Sequence, residues 1–141
     1  MTWPVILAPL FVQVLLTFGL MLGMMVNRTG ALRRGEVRFD QIAMREPNWP
    51  HRAALFGNAF SNQFELPVLF YVLTILALTT KQADLLFVVL AWVFVLFRVL
   101  QAVTHVTSNK VPVRGAFYGI SAIVLLVMWV IFIVEIMARI G

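Results

Sequence analysis

The sequence predicts an all-α membrane protein, a four-transmembrane-helix bundle in one domain over residues 1–141. Three observations predict it. The chain is 62% hydrophobic and only 12% charged, a composition foreign to an ordinary soluble core. Its apolar residues fall into four runs, each long enough for a helix to cross a bilayer. The connections between the later runs are too short for anything but antiparallel neighbours.

Span one is expected at about 3–26, with Pro4 and Pro9 near its start, where proline is tolerated. It lacks a basic leading segment and a small-residue cleavage motif, so it reads as a retained span rather than a signal peptide. Gln13 is its strongly polar interior residue. Met21, Met24 and Met25 suit packing better than a soft metal site, because no His or Cys accompanies them. A polar segment of about 27–51 follows, with a run REPNWPHR whose two prolines predict loop. Its length fits a lid, a docking surface or a plain linker. Span two is expected at about 52–79, and the turn TKQAD leads to span three at about 85–107. The connection SNKVP leads to span four at about 113–138.

The formal charge of +5 comes from loop cations beside the spans rather than from a nucleic-acid-binding surface. Arg28, Arg33, Arg34, Arg38, Arg45 and Arg52 flank the first connection, and Lys110 and Arg114 flank the third. The opposite side carries only Lys81 and Arg139. The positive-inside bias therefore predicts cytoplasmic basic loops and two periplasmic termini. The chain has no cysteine, which excludes disulfides, a thiol nucleophile and thiolate metal ligands. Two histidines, His51 and His105, without a carboxylate cluster make a poor metal site, so no metal is expected.

The stretch NAFSNQFELP carries the functional signal. Asn58, Asn62 and Glu65 share one helical face in span two. Arg98, Gln101 and His105 share one face in span three. A hairpin centred on Lys81 and Gln82 puts Glu65 level with Arg98, Asn62 with Gln101, and Asn58 with His105. At 1.5 Å rise, Glu65 and Arg98 lie about 13 Å inside the bilayer. A structural ion pair would fix helix register. Six polar groups exceed what a register lock needs, and ionisable groups inside a membrane are functional by default. Arg114 and Tyr118, one turn apart at the start of span four, lie close to the same end. Glu135 and Arg139, also one turn apart, read as a structural surface pair.

At these residues the chain resembles the MAPEG family, the membrane-associated proteins of eicosanoid and glutathione metabolism. The resemblance rests on Asn62-x-x-Glu65 followed by Pro67, with Arg98, Arg114 and Tyr118 in the next two spans. It covers roughly 52–118 in motif and the whole chain in hydropathy. It implies a homotrimer with glutathione as cofactor, held in clefts between subunits that open to the cytoplasm. Asn62, Glu65 and Arg98 would hold the tripeptide, and Arg114 would act on its thiol. Arg28, Asn58, Gln101, His105 and Tyr118 complete the candidate binding set. Two positions depart from the family pattern. Asn58 stands where an arginine is frequent, and His105 where a tyrosine is common.

The expectation is thus an integral-membrane glutathione-dependent transferase- or peroxidase-like enzyme in the bacterial inner membrane. It would act on lipophilic electrophiles or lipid hydroperoxides reached from membrane lipid. The alternative is a non-catalytic MAPEG-like accessory subunit of a larger membrane complex.

Overall fold

Four long apolar helices, one of them broken in the middle, form an antiparallel bundle in a computed structural model that describes residues 2–44 and 48–139. The elements are α1 (Trp3–Arg33), α2 (Phe39–Ile42), α3 (His51–Asn62), α4 (Leu66–Thr79), α5 (Leu85–Val106) and α6 (Val111–Ala138). Helices α3 and α4 together make the second span. Arg45 and Glu46 lie outside the described residues.

Helix α1 outruns its hydropathy. Its 31 residues reach about 46 Å at 1.5 Å per residue, against a hydrocarbon core of about 30 Å. The last two turns, with Arg28 and Arg33, therefore extend past the apolar stretch. The helix ends where Gly35 takes the left-handed conformation (φ 70°). Glu36 N–H donates to Ala31 O at 3.0 Å and Gly35 N–H to Leu32 O at 3.2 Å, which satisfies carbonyls that a helix end leaves bare. Just beyond, Arg34 Nε donates to Glu36 Oε1 at 2.7 Å. That hydrogen bond holds the Glu36 carboxyl below the usual carboxylate range.

The bundle has two unlike halves. At the end where α1 begins and α5 starts, the interior is largely apolar. Phe70, Leu73 and Phe94 are fully buried there, and the Phe70 and Phe94 rings lie 4.8 Å apart. The opposite half holds the termini of α1 and α5 and the starts of α3 and α6. We call it the basic end, after Arg28, Arg33, Arg34, Arg52, Lys110 and Arg114. Its apolar packing is thin: Leu20, Ala59 and Ala102 form a small cluster beside the buried polar residues Gln13, Gln63, Arg98, Gln101 and His105.

Helix α5 is the central element and packs against α1, α3 and α6. Asp84 caps it, accepting from Phe87 N–H at 2.9 Å. Helices α1 and α3 approach closely through two glycines, as small residues permit in membrane helices. A methyl group at Gly23 would overlap the Phe56 ring, and one at Gly57 would lie 3.0 Å from Arg28 Nη2. Gly23→Ala is therefore expected to destabilise the bundle by about 1–3 kcal/mol, the usual cost of overpacking. Thermal unfolding in detergent micelles checks this; an unchanged midpoint would mean that Phe56 moves aside freely.

At the far end the expected Glu135–Arg139 pair takes a different form. The Gln82 amide stands between them. Its nitrogen faces Glu135 Oε2 at 2.8 Å, and its oxygen accepts from Arg139 Nε at 2.8 Å. Arg139 Nη1 also donates to Thr80 O at 3.3 Å. The pair thus clasps the α4–α5 turn to the end of α6 through an amide that the one-turn spacing did not reveal.

Candidate active site

The site begins with a proline. Pro67 has no N–H to give the Gln63 carbonyl, and its ring crowds that carbonyl. The second span accordingly stops being helical after Asn62 and resumes at Leu66. Across the break, Gln63, Phe64 and Glu65 bond three residues back, to Phe60, Ser61 and Asn62, at 3.0, 3.1 and 3.2 Å. An unbroken helix through Glu65 was expected; the break changes which side chains face inward.

Gln63 turns into the bundle, 1% exposed. Its Nε2 donates to Ala59 O at 2.9 Å, and its Oε1 accepts from Gln13 Nε2 at 2.7 Å. Two buried amides thereby tie α1 to the break. Asn62 turns its polar atoms toward α5. Its side-chain Oδ1 and its backbone carbonyl accept from Arg98 Nη2 at 3.1 and 3.3 Å. Arg98 is fully buried, and its guanidinium carbon lies 5.6 Å from the Tyr118 ring centre, within cation–π range. One turn on, the Ser121 hydroxyl donates to the backbone carbonyl of Tyr118 at 2.8 Å.

This arrangement replaces the expected Glu65–Arg98 pair. Within the protomer Arg98 takes Asn62 as its partner, and Glu65 is exposed at the start of α4. Two other rungs differ as well. No hydrogen bond joins Asn62 to Gln101 or Asn58 to His105 among the described residues. The cause is the break: α3 and α4 are two helices with different phase, so equal height no longer implies facing side chains.

The candidate residues therefore separate into two groups. Asn58 and Glu65 are exposed on the outer face of the second span, and Arg114 and Tyr118 are half-buried at the start of α6. Arg114 Nη1 donates to Asn109 Oδ1 at 2.9 Å, which aims the guanidinium from the α5–α6 connection. Arg28 is half-buried; it lies against Gly57 and 4.8 Å from the Trp49 ring centre. Arg98, Gln101 and His105 are interior, 0%, 1% and 6% exposed. Trp49, Gln63, Asn109 and Ser121 are contributors that the sequence did not single out. Pro67 was the available signal for Gln63; nothing comparable marked Trp49.

An open apolar groove lies beside these groups. Leu66, Leu69, Ala122, Leu125, Leu126 and Trp129, from α4 and α6, line it. It starts next to Glu65 in the chain and one helical turn from Tyr118. Among the described residues no group of three or more metal-ligating side chains occurs.

A four-helix multi-pass membrane protein, with an arginine and amides buried at one end and exposed polar groups beside an apolar groove, is the class this geometry defines. The family model described as the MAPEG family matches residues 6–134, and the chain belongs to that family. No curated protein and no solved structure matches it.

Proposed function

We propose that the protein is a glutathione-dependent transferase or peroxidase of the membrane. It acts on lipophilic electrophiles or lipid hydroperoxides and works as a homotrimer in a bacterial inner membrane, with its termini periplasmic. The observation that carries the reading is the exposure of Asn58 and Glu65 on a helix that crosses the bilayer. Polar groups facing hydrocarbon are costly, so these side chains call for a protein or ligand neighbour. A neighbouring subunit with a peptide between the two surfaces meets that demand, and MAPEG membership makes the thiol tripeptide the peptide of choice.

The accessible residues fit such a ligand. Glu65 is a carboxylate suited to an ammonium group, and Asn58 offers an amide to peptide groups. Arg28 and Arg114 supply cations for carboxylate or thiolate. Arg98, Gln101 and His105 do not reach the surface in this conformation. Arg98 holds Asn62 and Tyr118 from behind, by the hydrogen bond and the ring contact described above.

When bound, glutathione supplies a sulfur nucleophile. Arg114 stabilises the thiolate form by its positive charge, and the released proton leaves to water at the basic end. The α4–α6 groove presents an apolar acceptor to that sulfur from the lipid side and keeps water away from it.

Glu65→Gln is expected to weaken glutathione binding about tenfold, the difference between a charge-assisted and a neutral hydrogen bond. Because Glu65 is exposed in the protomer, thermal stability of the subunit should stay the same. Isothermal titration beside a melting curve checks both. Unchanged affinity would remove Glu65 from the site.

The second reading, a non-catalytic accessory subunit, is favoured by Asn58 standing where the family frequently has arginine. A protein that forms its trimer yet neither binds glutathione nor turns over a lipophilic electrophile would support it.

A further inference from the structure

We propose that Arg33 of α1 and Arg52 of α3 form a collar for acidic phospholipid headgroups, so that the protein selects negatively charged lipid for the leaflet at its basic end. The contact between α1 and α3 brings the two residues to one depth. Gly57 packs on Arg28, where a methyl group would lie 3.0 Å from Arg28 Nη2. The two helices run antiparallel through this contact. Arg33 lies five residues after Arg28, and Arg52 five residues before Gly57. Each therefore stands about 7.5 Å further out along its own helix.

That depth belongs to the headgroups. The apolar run of α1 closes at Val26, two residues before Arg28, so the Arg33 backbone is about 10 Å beyond its end. The headgroup regions add roughly 5–8 Å on each side of the hydrocarbon core. A long arginine side chain reaches back over the difference, with its stem along apolar surface and its charge at phosphate level. Arg28 is not part of the collar, because it is half-buried between Gly57 and the Trp49 ring.

The chain beyond α1 is folded back at this level. Ala31 and Val37 are buried, 1% and 3% exposed, and Glu36 N–H donates to Ala31 O at 3.0 Å. The acids of this segment are engaged by its own arginines, Glu36 by Arg34 at 2.7 Å and Asp40 by Arg38 at 3.4 Å. Arg45 and Glu46, outside the described residues, cancel in charge. Arg33 and Arg52 are the excess positive charge of the hairpin. A guanidinium takes phosphate oxygens through two parallel N–H bonds. The phosphate of phosphatidylglycerol has no ammonium in its own headgroup to neutralise it, unlike that of phosphatidylcholine. Two surface arginines hold a free phosphate in water poorly. A headgroup confined to the leaflet beside them is already at high effective concentration, and modest attraction suffices. Each such cation favours acidic lipid by about fivefold.

The test uses no thiol, so its outcome is independent of glutathione binding. The intact protein is equilibrated in micelles holding equal amounts of phosphatidylglycerol and phosphatidylcholine, and retained lipid is read by native mass measurement. Phosphatidylglycerol is expected to be retained several-fold in preference. Arg33→Gln and Arg52→Gln should each reduce the preference by about fivefold. Both side chains are exposed, so unfolding midpoints in phosphatidylcholine micelles should match wild type. A salt series on the wild type needs no variant. The preference should collapse between about 0.1 and 1 M salt, as the screening length falls from roughly 10 to 3 Å. Equal retention of both lipids by the wild type would overturn the proposal. A preference that survives high salt, or persists undiminished when both arginines are replaced, would do the same. Displacement of phosphatidylglycerol by millimolar inorganic phosphate would also overturn it, because the collar would then be a site for a free anion.

Discussion

Arg114→Ala is expected to lower turnover by about 10²- to 10³-fold, the typical loss when a positioned donor to a developing or resting anion is removed. Affinity for glutathione should fall far less. The asymmetry comes from where the guanidinium acts. It is half-buried near the start of α6 and held by Asn109 at 2.9 Å, so it has a fixed direction before any ligand arrives. A group aimed at sulfur contributes mainly where sulfur carries charge, whereas the rest of the tripeptide is held elsewhere. Asn109→Ala should reproduce part of the loss, because it frees the guanidinium without removing its charge. Conjugation and peroxidase assays beside binding measurements on wild type and both variants check this. Equal losses in binding and turnover for Arg114→Ala would make Arg114 a carboxylate ligand instead.

Asn62→Leu is expected to be the most destabilising single change at the site. It removes the only side chain that hydrogen-bonds to Arg98 among the described residues, in a position where the guanidinium is fully buried. Losing a hydrogen bond to a charged group costs about 1.5–3 kcal/mol. Adding Arg98→Met should recover much of that loss, because a buried guanidinium left with only a backbone carbonyl is worse than an apolar side chain of similar volume. The coupling separates this account from simple packing. Unfolding of the two single variants and the double variant in micelles completes the cycle. Additive losses would mean that Asn62 and Arg98 do not act as a pair.

The four spans were legible because hydropathy and helix length are the same signal in a bilayer. The ends were less so. Hydropathy closes the first span near Val26, but α1 runs on to Arg33, since helix formation continues through Asn27, Thr29 and Leu32 after the apolar residues cease. The short helix α2 sits inside a segment read as loop and linker, and a four-residue helix leaves no periodicity to read. Asn62 and Arg98 were recognisable as interior partners of some kind, and Tyr118 and Arg114 as neighbours at the same end. The pairing was not recognisable. The height rule treats the second span as one straight helix, and Pro67 breaks it at Gln63–Glu65. Glu65 thereby moves to the outside, and Gln63, assigned no face in an unbroken helix, moves in. Trp49 was beyond reach for another reason: its contact with Arg28 joins a loop to a helix end, and no repeat governs such a meeting.

The site also shows why a buried arginine signals more than register. A register lock would be complete once Asn62 and Arg98 met. Instead the same end carries exposed Asn58 and Glu65, a held Arg114, Arg28 packed under Trp49, and an apolar groove that begins beside them. The exposed side chains of Asn58 and Glu65 in particular cost stability in a bilayer and hydrogen-bond to nothing within one subunit among the described residues. On the proposed function, a ligand and a second subunit would give them partners.

Isothermal titration of the purified, intact oligomer with glutathione tests the central claim most directly. The account predicts saturable binding in the millimolar range or tighter, weakened by Glu65→Gln and largely retained in Arg114→Ala. No heat of binding at millimolar glutathione, from a protein shown by native mass measurement to be an intact trimer, would contradict it.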